Sequence, residues 1–259
     1  MATNIRKLKR FDLLEVLLIA AFVGASTWVV KPQYEINKSQ SEALSFAKRY
    51  GPNRHSEYEE EWLIRDFFRD KRDGVFLDVG ANHYRTFSNT YYLETELGWS
   101  GIAVEPLRQF EADYIKHRPR TRFRAFFVSD ASNQEAKIYL GRNPLVTSGD
   151  KTFTERYGVD TKEITAATIT LNDLLDHEHV NTIDFLTMDI ELSEPKALSG
   201  FDVERFQPSL ACIEAHPEVR QQILDYFARH HYVVVGRYLR ADPQNLYFMP
   251  QQDTLPAIQ

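Results

Sequence analysis

Two nucleotide-binding signatures are missing from this 259-residue chain. It has no G-x-x-x-x-G-K-[ST] loop and no G-x-G-x-x-G run. Nothing in it therefore offers the glycine-rich backbone that cradles a triphosphate or a pyrophosphate. Cysteine is nearly absent. Cys212 stands alone, which rules out an intrachain disulfide and a cysteine-based metal site and fits a reducing compartment. Positive charge is in deficit: the net charge of -6 excludes broad attraction to nucleic acid, so no nucleic-acid partner is expected. Internal repeats and low-complexity tracts are also lacking.

What is present begins with an N-terminus unlike the rest. Arg6, Lys7, Lys9 and Arg10 precede LLEVLLIAAFVGASTWVV (13–30), apolar apart from Glu15. A spanning helix needs roughly 20 apolar residues, with about 17 as the lower limit. Glu15 sits near one end and Trp28 near the other, where the interface accepts both. The expectation is an uncleaved single-pass membrane anchor over 1–31. A cleaved signal peptide and a buried helix are the competing readings. The bias of basic residues places the following domain outside the cytoplasm, whereas the cofactor argued below is made inside it. The cofactor is the stronger consideration, so a cytoplasmic domain is expected. Residues 32–60 are polar and read as a linker running into a leading helix, and 61–259 as the catalytic domain.

Past residue 60 the patterning alternates. Trp62, Leu63, Phe67 and Phe68 share a helical face, ended by Asp73-Gly74. Strands follow at 75–79, 101–106, 123–130, 183–190 and 210–216, separated by helical segments at 89–97, 107–117 and 218–230. A closing pair lies at 232–238 and 245–250 around Asp242-Pro243. Alternation of this kind means a doubly wound, mostly parallel α/β sheet. Residues 131–170 interrupt the rhythm. AKIYLG (136–141) and ATITLNDLL (167–175) read as strand material around a loop, an insertion suited to carrying acceptor contacts because loops on a rigid sheet hold specificity.

In open parallel sheets, ligands bind beyond the carboxyl ends of the strands. The first strand ends in Asp78, followed by Gly80, whose lack of a side chain lets backbone approach a ligand. The second ends in Glu105, placed to accept hydrogen bonds from a ribose diol. An acid beside a single glycine repels a pyrophosphate but suits a cationic, phosphate-free ligand. S-adenosylmethionine, a sulfonium and an amine on an adenosine, has that character.

DVGAN (78–82), the AVEP acid, LNDLL (171–175) and IDFLTMDIELSE (183–194) resemble the FkbM family of S-adenosylmethionine-dependent methyltransferases, in the family's order. The resemblance covers about residues 74–250. It implies a class I methyltransferase fold (Rossmann-like) with seven strands, the last antiparallel, and methyl transfer, commonly to a hydroxyl oxygen. Asp78, Gly80, Asn82, Glu105 and Asp130 are the expected cofactor contacts. Two are open to bland readings: Asn82 as a helix N-cap, and Asp130 as a plain turn acid. The sequence departs from the pattern at Leu192, where glycine is usual, at Thr187, where lysine is usual, and at His83, where a small or apolar residue is common.

On the acceptor side, Asp189 and Glu191 end the fourth strand, and Glu214 and His216 the fifth. Asp189, Glu191 and His216 are the expected catalytic residues, with Asp189 or His216 as the base; imidazole suits that role because its ordinary pKa lies near 6.5. Serving only the dipole of the next helix is the bland alternative for the carboxylates. Asp189, Glu191, Glu214 and His216 could also gather round a divalent cation, but no ligand spacing demands one and no metal is expected. The expected partners are a small-molecule, glycan or lipid-linked acceptor, and the membrane. The alternative is a membrane-tethered, non-catalytic module that keeps the fold, motivated by Leu192 and Thr187. An NAD-linked dehydrogenase on the same type of sheet is disfavoured by the missing glycines.

Overall fold

The computed structural model describes residues 44–142, 144–158 and 160–251. The described residues from Phe46 onward belong to one compact unit. The expected anchor helix over 13–30 lies outside the described residues, among which no helix is long and apolar enough to cross a membrane.

The unit opens with helical residues 46–50 (α1) and α2 (Glu60–Phe68), in which Trp62 and Leu63 of the expected apolar face are buried and Phe67 and Phe68 pack partly buried against the core. It stops at Arg69 and Asp70, both left-handed at φ 53°, a few residues before Asp73-Gly74. Seven strands then build the main sheet: β1 (Val75–Val79), β2 (Ser100–Val104), β3 (Thr121–Arg124), β7 (Phe185–Met188), β8 (Leu210–Glu214), β9 (Tyr232–Val234) and β10 (Asn245–Pro250). Their order is β3-β2-β1-β7-β8-β10-β9, and β10 alone runs against its neighbours. This is the class I methyltransferase sheet. The central strands are near-continuous apolar runs because helices cover both faces. Side chains alternate between two cores. Leu77, Val79, Leu186 and Met188 pack on one side, and Phe76, Phe185, Leu210 and Cys212 on the other.

Covering the sheet are α3 (Tyr91–Thr95), α4 (Glu111–His117), α6 (Leu171–His177), α7 (Glu194–Ser199), α8 (Val203–Phe206) and α9 (Arg220–Arg229). Two expectations about elements are corrected. The run 123–130 is not one strand: β3 ends at Arg124, and β4 (Phe127–Val128) joins a separate three-stranded sheet with β5 (Glu135–Leu140) and β6 (Lys162–Ile169). The segment 171–175 is not strand but the start of α6. Thr170 caps it by accepting from Asp173 N–H at 3.0 Å, and Leu171, Leu174 and Leu175 are buried at helical spacing. Between β5 and β6, a short turn at Pro144–Val146 and α5 (Lys151–Arg156) complete the insertion.

Candidate active site

At the carboxyl end of β1 the chain turns sharply. Gly80 sits at φ +85°, and a Cβ there would lie 1.8 Å from the Asp189 carbonyl oxygen. No other residue lets the β1 turn and the end of β7 approach so closely. Gly80 N–H donates to Val104 O at 2.9 Å, and Asn82 N–H to Glu105 Oε2 at 3.2 Å. The first turn is thereby tied to the end of β2. Asn82 is left-handed at φ +43° and begins no helix: α3 starts at Tyr91 with Thr90 before it. The N-cap reading of Asn82 fails on that ground.

Glu105 is buried and accepts from Leu107 N–H at 2.9 Å as well as from Asn82. A carboxylate has about four acceptor sites, so two remain for a diol. Burial raises its pKa to about 7. Asp78 is also buried, and that burial raises its carboxyl to about 6 against the pull of Thr90 and Arg118. Thr90 Oγ1 donates to Asp78 Oδ2 at 2.6 Å. Behind it stands a group the sequence did not single out. Arg118, wholly buried at the end of α4, donates to Glu94 and Thr90 and to Tyr84 O. His83 Nδ1 accepts from the backbone of Arg85 and Thr86, which makes it an organiser of this loop.

Two cavities meet here. One of about 370 Å³ is lined by Asp78, Gly80, Asn82, Asp189, Glu191, Glu214 and His216, with Glu60 at its side. A narrow one of about 40 Å³ lies against Glu105, Phe126, Val128 and Ile138. Both touch Gly80, Asn82, Leu145 and Asp189. Asp130 lines neither. It is exposed beyond β4, where Ser129 Oγ donates to it at 3.0 Å and Lys196 lies 3.6 Å away. The polar end expected there points to solvent because the strand it was read on leaves the main sheet.

The acceptor side is densely acidic. His216 Nε2 lies 3.1 Å from Glu191 Oε2 and 3.1 Å from Glu214 Oε1. Its bonds to Glu214, then to Glu191, raise its pKa to about 9. These partners favour the protonated imidazole. Burial and the charge of Glu214 raise Glu191 to about 8. Asp189 lies deep in the molecule, yet its side chain opens to the cleft. Its depth and then the charges of Glu214 and Glu191 push its carboxyl up; that direction holds even where water fills the cleft, because the neighbouring carboxyls act either way. Glu194, in the first turn of α7, accepts from Ile190 N–H at 3.0 Å and closes the turn after β7. Thr187 accepts from Asn89 Nδ2 at 3.0 Å.

The insertion covers this end of the sheet. Ser148 Oγ donates to the Glu191 carbonyl, Phe153 packs edge-on against the His216 ring at 5.2 Å, and Arg156 pairs with Glu218 at 2.7 Å. Leu145 lines both cavities, and Val146 and Tyr157 the larger one.

No curated protein sequence matches the chain. Among solved structures it is similar to a precorrin-6y C5,15-methyltransferase of Geobacter metallireducens, at 10% identity and TM-score 0.43, over 74% of this chain and 87% of that one. It is also similar to a SAM-dependent O-methyltransferase of Thermotoga maritima, at 11% and 0.43, over 81% and 72%. A third is a 1,6-didemethyltoxoflavin-N1-methyltransferase of Burkholderia thailandensis, at 11% and 0.34, over 94% and 91%. These likenesses are distant. The model of the FkbM methyltransferase domain, however, matches residues 78–234, more than half of the chain and the stretch that runs from Asp78 through Glu191 to His216. The chain belongs to the FkbM methyltransferase domain family.

Proposed function

We propose that the chain transfers a methyl group from S-adenosylmethionine to a hydroxyl oxygen of a small-molecule, glycan or lipid-linked acceptor. The observation that carries this reading is the cradle at the ends of β1 and β2: Gly80, with no room for a Cβ, lies between the buried acids Asp78 and Glu105. The donor set fits the cofactor. Glu105 keeps acceptor capacity for the ribose, apolar Phe126, Val128 and Ile138 suit an adenine, and the acid-lined larger cavity suits a sulfonium and an amine. At about 40 Å³ the adenine side is tight as it stands.

S-adenosylmethionine supplies an electrophilic methyl on a neutral thioether leaving group. The protein aligns the acceptor with that methyl, and near-attack alignment can remove roughly 7–11 kcal/mol of barrier. It also takes the acceptor's proton. Asp189 is the candidate for this: its side chain is exposed and lines the cleft, whereas Glu191 and Glu214 meet His216. His216, whose two carboxyl partners favour its protonated form, is less suited to act as the base. The apolar run 13–30 after its basic cluster supports a single-pass anchor, with the domain on the cytoplasmic side where the donor is made.

Calorimetry of the full chain with S-adenosylmethionine tests the reading. Wild type binds, Gly80→Ala loses binding, and Asp189→Asn keeps it. With methyl-labelled donor and glycan or polar-lipid extracts, Asp189→Asn loses transfer about 10²–10⁴-fold. Absence of donor binding supports the second reading, a tethered non-catalytic module. That reading is favoured by the tight adenine side and by Leu192.

A further inference from the structure

The acidic end of β7 and β8 gathers more carboxyl groups than there are basic side chains paired with them. The two strands are parallel neighbours, with Met188 opposite Ile213, so the next residues, Asp189 and Glu214, stand beside each other. Glu191 and His216 follow two positions on. Among the described residues, no lysine or arginine pairs with Asp189, Glu191 or Glu214; Arg156 on the insertion pairs with Glu218 instead. Glu214 is only 7% exposed, lines the larger cavity, and buries its Oε2 without a hydrogen-bond partner. Its other oxygen meets His216 Nε2, and the Asp189 carboxyl lies within hydrogen-bonding reach of the same group. A buried carboxylate oxygen left unpartnered costs free energy unless something outside the chain meets it.

We propose that Glu191, Glu214 and His216 form a divalent-cation site on the acceptor side of the cleft, suited to Mn²⁺ or Mg²⁺. One ligand atom from each of the three lies within 4.8 Å of the others. Octahedral coordination at about 2.1 Å sets adjacent ligand atoms about 3 Å apart, the spacing His216 Nε2 already keeps to both carboxylates. Two carboxylates and one imidazole are a donor set for hard cations, and the imidazole favours Mn²⁺ over Mg²⁺. The ion takes the place of the proton His216 Nε2 now shares with the two acids. Phe153 against the imidazole and Ser148 on the Glu191 carbonyl hold both ligands in place. Its open positions face the cavity and fit an acceptor offering adjacent oxygens. This role rests on the methyl-transfer reading: a hydroxyl bound to the ion gives up its proton more readily. The binding itself does not rest on that reading.

The test is a Mn²⁺ titration of the full, chelator-treated chain, followed by electron paramagnetic resonance, with donor binding measured separately by calorimetry. One Mn²⁺ binds per chain. Glu214→Gln and His216→Ala each weaken it at least tenfold with circular dichroism unchanged, and Asp130→Asn leaves it unaltered. Glu191→Gln provides a third ligand variant should one of the others fold poorly. No binding at millimolar Mn²⁺, or affinity unchanged in every folded ligand variant, overturns the site. If donor binding survives while Mn²⁺ fails, the ion alone is wrong. If Mn²⁺ binds and the donor does not, the methyl-transfer reading falls and the cation site stands.

Discussion

Leu192 shows how much one backbone angle decides. The motif resemblance marks it as a place where glycine is usual, and the structure supplies the reason: Leu192 sits at φ +75°, directly after Glu191 at φ +54°. Two successive left-handed residues turn the chain out of β7 into α7. The left-handed region costs a non-glycine residue roughly 1–2 kcal/mol. Leu192 offsets part of this by packing against the main core. Leu192→Ala therefore loses the packing and keeps the strain, whereas Leu192→Gly loses the packing and relieves it. Alanine normally outranks glycine in stability; here thermal denaturation gives the opposite order, with glycine higher by about 1 kcal/mol. A lower midpoint for Leu192→Gly than for Leu192→Ala contradicts the strain argument. Thr187, the other departure on this strand, has become a partner for Asn89.

At the scale of elements, the loop from β1 to α3 is held from behind by α4. Arg118 is 0% exposed and joins Glu94 on α3 to Thr90, and through Thr90 to Asp78. Breaking a buried ion pair from one side leaves an uncompensated charge and typically costs about 3–5 kcal/mol. Arg118→Met lowers unfolding free energy by that amount in urea titrations. The double variant Glu94→Gln, Arg118→Met recovers a large part of it, because no charge is then stranded. Additive losses would show that the pair is not coupled. The insertion is the other element that matters. Its strands were legible as strand material, but their departure into a second sheet was not. Asp130 was consequently placed at a sheet end when it belongs to a surface turn.

Across the whole molecule, burial of acids links stability to pH. Burial raises Glu60 from 4.5 to about 7, Asp78 from 3.8 to about 6 and Glu105 from 4.5 to about 7. In each case the folded state holds its proton to higher pH than the unfolded state. Their contribution is complete below about pH 4 and is lost as pH rises toward 7. The melting temperature therefore falls from pH 5 to pH 8. Glu60 lines the side of the larger cavity and is not among the residues expected to act in catalysis. It accepts from Asn245 Nδ2 at 3.3 Å and from Tyr58 N–H at 2.7 Å, and buried Asp242 repels it. Glu60→Gln removes its ionisation cost, at 1.36 kcal/mol per pKa unit, and stabilises the protein by roughly 1–3 kcal/mol at pH 8. At pH 5 its effect is much smaller. Equal effects at the two pH values exclude Glu60 as a contributor.

By itself the sequence determined the alternation of strands and helices, the strand ends that carry Asp78, Gly80, Glu105, Asp189, Glu191, Glu214 and His216, and the antiparallel closing strand. The alternation and the strand ends follow from local patterning, since apolar runs of strand length and the residues that end them are written contiguously; the antiparallel closing strand was implied by the family resemblance. Only the tertiary structure decided that β4 leaves the main sheet, that 171–175 is helix under a Thr170 cap, and that Arg118 stands behind Asp78. It alone showed that His216 Nε2 lies 3.1 Å from both the Glu191 and the Glu214 carboxyl groups. These features depend on the distances between groups far apart in the chain and on the loss of solvent around them. Neither quantity is carried by the order of residues.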